Sequence, residues 1–188
     1  MARPRSEERR DAIIAAAITV IASQGLAAPT ATIAKEAGIS NGSLFTYFGT
    51  KAELLNALYL ELRSEIASAA LDDVPVNRDI RSQMLQIWRN WLHWTTASPE
   101  KRTALKHLCV SEDITPDTHE AVTQVTAEIT AYIDRCRKIG PMRDEPLEFV
   151  GALINAMVET TIDFIIADPA NAERHSMAAF EATWRAIA

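Results

Sequence analysis

The chain has 188 residues, of which 48% are hydrophobic and 23% charged, and its formal net charge is −6. Those proportions support one or two folded domains with a real core and exclude a disordered, collagen-like or disulfide-stapled chain. The two cysteines, Cys109 and Cys136, have no metal-ligand spacing, which predicts reduced thiols, no metal site and a cytoplasmic setting.

The charge is uneven along the chain. Residues 1–51 hold six basic and four acidic side chains, and the remainder holds thirteen basic and twenty-one acidic. That asymmetry predicts one module for a polyanion and a second module for something else. The N-terminal MARPRSEERRD lacks the apolar run of a secretory signal. The most apolar stretch, Phe149 to Ala167, is interrupted by Asn155, Glu159 and Asp163, so no membrane span is expected.

Apolar residues recur at spacings of three and four almost throughout, which predicts an all-α chain of about nine helices. The first runs from about Ser6 to Ser23, with Ile13, Ile14, Ala17, Val20 and Ile21 inward and Gly25 as its stop. A short helix over about Ala31–Ala37, with Thr30 placed to cap it, is followed by a turn at Gly38 and a third helix over about Asn41–Tyr47. Thr50 and Glu53 form a capping box for a fourth helix that reaches Leu71. Asp72 to Asn77 breaks the pattern. Helices over about Asp79–Ala97, Pro99–Val110 and Pro116–Lys138 follow, two of them opened by a cap-then-proline pair. The last two span about Pro146–Ala167 and Asn171–Ile187. The expected organisation is an N-terminal domain over 1–50, a connecting helix and linker over 51–74, and a C-terminal domain over 75–188.

Residues Thr30 to Leu55 carry the most information. Two short helices joined by a glycine turn make a helix-turn-helix, whose second helix enters the DNA major groove. Ile33, Ile39, Leu44 and Phe48 can form the small core that fixes the interhelical angle, and Ala34 is small where the helices cross. Ser40 can cap the recognition helix and aim its positive end at phosphate. Gly42 allows close backbone approach to DNA.

These residues resemble the TetR family of bacterial transcriptional regulators. The matching pieces are Ile33-Ala34, Ala37-Gly38-Ile39-Ser40, Gly42-Ser43-Leu44-Phe45, Tyr47-Phe48, Lys51 and Leu54-Leu55. The resemblance covers about the first sixty residues and beyond Leu71 is architectural only. It implies DNA contacts at Thr30, Ser40, Asn41, Gly42, Ser43, Thr46, Tyr47 and Lys51. The family often has tyrosine where this chain has Phe45, so a phenol oxygen is missing there.

No Arg or Lys lies between Ile39 and Phe48, so the bidentate contact to guanine is absent. Asn41 can pair with adenine, Ser43 and Thr46 are permissive donors and acceptors, and Phe45 and the Thr46 methyl can touch thymine methyl groups. Lys51 and an arm carrying Arg3 and Arg5 would supply the sequence-independent attraction. Lys35 and Arg10 are expected in solvent, and Phe48 in the core.

In the C-terminal part, the segment from Phe149 to Ile166 is apolar over more than half its circumference, which predicts packing on two sides. Val158, Ile162, Ile165, Phe180 and Trp184 are the expected dimer interface. Met84, Trp88, Trp91, Cys109, Phe149, Leu153 and Met157 are the expected lining of an apolar effector pocket. No catalytic residue, cofactor or metal is expected, because no Glu-x-x-His pair, GxSxG, phosphate-binding glycine loop or Cys-x-x-Cys occurs. The partners implied are a palindromic double-stranded DNA operator, a second copy of the chain and a small-molecule effector, with no membrane. The function implied is a dimeric transcriptional repressor released by that effector; the alternatives are an effector-independent regulator of the same fold and, more remotely, a helical enzyme.

Overall fold

The computed structural model describes residues 5–188, with side chains from Ser6 onward, and among them are ten α-helices, one 3-10 turn and no strand. The helices are α1 (Arg5–Gln24), α2 (Thr30–Glu36), α3 (Asn41–Tyr47), α4 (Lys51–Leu71), α5 (Ile80–Ala97), α6 (Pro99–Cys109), α7 (Pro116–Val125), α8 (Ala127–Lys138), α9 (Leu147–Ala167) and α10 (Ala172–Ile187). The 3-10 turn, Pro169–Asn171, joins α9 to α10. The all-α architecture is the one the periodicity predicts.

One predicted helix is two. The run from Pro116 to Lys138 breaks at Thr126, which sits at φ −97°, ψ 1° and whose carbonyl starts a new ladder by accepting from Thr130 N at 3.0 Å. Four of the five residues from Val122 to Thr126 are β-branched. Their restricted χ1 lowers helix propensity without disturbing the apolar spacing, so the periodicity runs through a break it does not register.

Contacts divide the chain into two units that are not consecutive in sequence. One combines the chain up to Ser64 with Ser98–Thr123, and the other combines Glu65–Ala97 with Gln124–Ala188. The expected boundary near residue 74 would leave α6 and α7 with the C-terminal part. Instead α6 packs on α1, burying Ala104 and Leu108 in the α1 core, and Thr19 Oγ1 donates to Glu100 Oε2 at 3.1 Å. The α4 helix passes from one unit into the other.

The first unit is built on Ile13, Ile14, Ala17, Val20 and Ile21 of α1, all buried as expected, with Leu54, Leu55, Leu58 and Leu62 of α4. Gly25 and Gly38 have φ of +73° and +68°, the left-handed backbone that ends α1 and turns the chain after α2. The second unit packs α5, α8, α9 and α10 around Trp88, Val150, Ile154, Val158, Ile162 and Phe180. Trp88 is 1% exposed, donates from Nε1 to Ser176 Oγ at 3.3 Å and meets the Phe180 ring edge-on. Arg81 pairs with Glu181 and lies over the Phe180 ring, tying α5 to α10. Gly140 is buried against the end of α10, where an added Cβ would fall 2.3 Å from the Ile187 carbonyl oxygen.

Candidate nucleic-acid interface

Helices α2 and α3 pack together through Ile33, Ala34, Leu44 and Phe48, all buried, with Ile39 partly buried against them. Across the turn Ile39 N donates to Ala34 O at 2.9 Å, which closes the angle between the helices. Ser40 caps α3, its hydroxyl accepting from Ser43 N at 3.1 Å and lying 2.8 Å from Ser43 Oγ. Thr30 does not cap α2. Pro29, at φ −66°, ψ 144°, holds the N-cap position without a side-chain acceptor, and Thr30 is already the first helical residue.

The face of α3 turned away from this core carries Asn41, Gly42, Ser43, Phe45 and Thr46, all exposed. Phe45 keeps 40% of its surface in solvent, a large apolar side chain left partly uncovered by the fold. Thr46 Oγ1 donates back to Gly42 O at 3.3 Å, which leaves its oxygen free to accept. Tyr47 and Thr30 are half-buried, and Tyr47 packs on the unit's core. No charged side chain stands on α3 itself. A surface of this kind can read base edges by amide, hydroxyl and methyl contacts but has little attraction for phosphate.

Two nearby cations are engaged within the fold. Lys51 donates from Nζ to Leu26 O at 2.6 Å and Ala28 O at 2.8 Å. Arg10, expected in solvent, pairs with Glu61 at 3.1 Å and stands 5.5 Å over the Phe48 ring. Lys35 is exposed as expected. Arg3 lies outside the described residues, as does the Arg5 side chain. Neither the Arg10 contact nor the Asn56 staple was legible in sequence. Asn56 Nδ2 donates to Asp113 O at 2.8 Å, and its Oδ1 accepts from Thr115 N at 2.9 Å, fastening the α6–α7 connection to α4. A long cation or a lone amide has several partners within reach, and spacing does not choose among them.

The residues of the expected pocket lining are distributed over both units. Met84 and Trp88 are buried in the core of the second unit, with Trp91 and Met157 partly buried against it and Leu153 half-buried. Phe149 is 48% exposed. Cys109 belongs to the other unit and is exposed at the end of α6 beside Tyr59, whose hydroxyl burial and the thiol hold above its ordinary range. The expected dimer set is also mostly internal. Val158, Ile162 and Phe180 are buried within their own unit, and Ile165 and Trp184 are partly buried against its core. The residues of α9 left in solvent include Phe149, Ala152, Asn155, Ala156, Thr160, Asp163 and Phe164. This helix is long and apolar enough to cross a membrane, yet its buried side packs on α5, α8 and α10. Among the described residues no group of His, Cys, Asp and Glu is placed to hold a metal ion.

Fold and surface together define a helix-turn-helix DNA-binding unit joined to a helical bundle. Residues 13–58 match the family described as bacterial regulatory proteins, tetR family. Over nearly its whole length the chain is similar to a tetR family transcription regulator from Shewanella sp. PV-4. The two are 26% identical, with a TM-score of 0.86 and coverage of 95% of this chain and 97% of that one. A TetR family transcription regulator from Marinobacter aquaeolei VT8 shares the fold at 22% identity and TM-score 0.82, covering 99% and 98%. The transcriptional regulator FadR from Bacillus subtilis, solved in complex with stearoyl-CoA, shares it at 16% and 0.72, covering 95% and 99%. Residues 13–58 thus match the helix-turn-helix of tetR-family regulators within a chain that shares the whole fold of such proteins, and the chain is a DNA-binding transcription regulator.

Proposed function

We propose that the chain is a homodimeric repressor of a palindromic operator, released when a small apolar effector binds its second unit. The observation that carries the proposal is the outward, uncharged face of α3: Asn41, Gly42, Ser43, Phe45 and Thr46 do nothing for the chain's own core. Thr30, Ser40 and Tyr47 flank that face and complete the proposed contact set. One short helix without a cation reads few bases, so two copies on successive half-sites are needed for useful affinity.

The second copy has a place to bind. Phe149, Ala152, Ala156, Thr160 and Phe164 form a mostly apolar strip along α9, bordered by the exposed Asn155 and Asp163, and Phe164 is 58% exposed. Such a strip on a helix of low polarity supports a twofold contact. Because α4 belongs to both units, it is the covalent route by which an effector preferring one conformation would shift the population of DNA-competent dimers. The stearoyl-CoA held by the Bacillus subtilis FadR is a precedent for an apolar ligand in this fold. An effector-independent regulator is the second reading; it is favoured by Met84 and Trp88 being core residues rather than cavity walls.

The test is selection of bound fragments from the host genome, followed by titration of the complex with metabolites of the flanking genes. The proposal expects a palindromic consensus and release by one such compound. Absence of any selected duplex contradicts it, and a consensus that no metabolite releases favours the second reading.

A further inference from the structure

Lys51 is the first residue of α4, where the positive end of the helix dipole disfavours a cation. Its ammonium is held there by the connection between α1 and α2. Nζ donates to the carbonyls of Leu26 and Ala28 at 2.6 and 2.8 Å. Within that connection Gly25 O accepts from Ala28 N at 3.3 Å and Pro29 O from Thr32 N at 3.0 Å, so the lysine serves two of the three carbonyls between them. Ala28 is 5% exposed and Leu26 packs on the core, so withdrawing the ammonium would leave carbonyl groups in a poorly hydrated place. The connection ends at Pro29, the cap of α2, and α2 sets α3 through the Ala34–Ile39 hydrogen bond.

We infer that Lys51 is a positioning residue for operator binding: it fixes the α2–α3 pair through the Leu26 and Ala28 carbonyls and does not neutralise a phosphate. The inference rests on the proposal that α3 reads DNA. It predicts that Lys51 matters for the preferred sequence and little for duplex in general. A phosphate-binding lysine does the opposite, contributing alike to all sequences and to the salt dependence.

The test uses the full chain carrying Lys51→Met or Lys51→Arg, an operator duplex and a scrambled duplex, and anisotropy titrations over a salt series. Stoichiometric titration sets the binding-competent fraction. For Lys51→Met the expected result is operator affinity lower by about tenfold or more, scrambled affinity within about twofold, and an unchanged slope of log K against log salt. Amides 25–33 should also exchange faster. Equal losses on both duplexes with a slope smaller by about 0.9 would mark a lost phosphate contact and overturn the inference. Unchanged affinity in the competent fraction, with only a lower melting temperature, would overturn it as well. Should Lys51→Met not fold, Lys51→Arg decides. Its planar fork keeps the charge but not the two-carbonyl geometry, so operator preference falls if Lys51 positions and stays if it binds phosphate. A wild-type chain that does not distinguish operator from scrambled duplex overturns the DNA-reading proposal itself, and this inference with it.

Discussion

Gly42→Ala separates what α3 does for the chain from what it does for a partner. Gly42 is the second residue of α3, its φ is not positive, and an added Cβ would find only Ser40 Oγ, at 3.9 Å. The chain therefore accommodates the methyl, and replacing a helical glycine by alanine stabilises by about 0.5–1 kcal/mol. That corresponds to a melting temperature higher by roughly 1–4 °C for a chain of this size. In the proposed complex the same methyl would stand between the α3 backbone and the duplex. Overpacking of a close contact costs about 1–3 kcal/mol, which is roughly 5- to 150-fold in Kd. Thermal melting by circular dichroism and anisotropy with the selected operator read the two effects on one preparation. Unchanged operator affinity would refute the close approach of α3, and a lower melting temperature would refute the open space around Gly42.

Gly140→Ala should act in the opposite sense on stability, because its Cβ would fall 2.3 Å from Ile187 O and 2.4 Å from Ala188 Cα, both main chain. The cost is about 1–3 kcal/mol, read as a melting temperature several degrees lower; an unchanged melt would contradict the close packing. Burial pushes the Cys136 thiol to about 11, while Cys109 is exposed. A maleimide at pH 8 should therefore add once to the folded chain, at Cys109, and twice in denaturant, with mass spectrometry as the check. Since the folded thiol keeps its proton to about 11 and an unfolded one releases it near 9.0, stability should fall as pH rises between those values. Urea melts should show a smaller fall in Cys136→Ala. Phe164→Asp, at a 58% exposed position, should leave the monomer folded and abolish the dimer. Sedimentation showing an intact dimer would move the interface off this face of α9.

The parts of the fold legible in the sequence are those where one residue type has one physical use. Ile33, Leu44 and Phe48 at helical spacing had only a core to enter, and all three are buried. Thr50 and Glu53 mark a helix start: Glu53 N donates to Thr50 Oγ1 at 3.0 Å and Gly49 N to the Glu53 carboxylate at 2.9 Å. Where a residue has two uses the pattern is silent. A helix apolar on most sides, such as α9, does not encode which arc faces its own core, and so Val158 and Ile162 proved internal while Phe149 and Phe164 face solvent. Trp88 offered an aromatic wall or a core plug with the same spacing, and is the plug. Within the candidate interface the exposed polar face of α3 was legible from the helix-turn-helix spacing. The partners of Lys51 and Arg10 were not, since each long side chain reaches groups far off in sequence, in the α1–α2 connection for Lys51 and on α4 for Arg10.

The central claim is that α3 reads bases through Asn41. Anisotropy of wild type and Asn41→Ala on the selected operator, with each base pair of a half-site substituted in turn, tests it most directly. The account predicts a loss of about 1–3 kcal/mol for Asn41→Ala on the operator, with discrimination relaxed at a single base pair. A uniform loss across all substituted duplexes, or no change at any position, would contradict it.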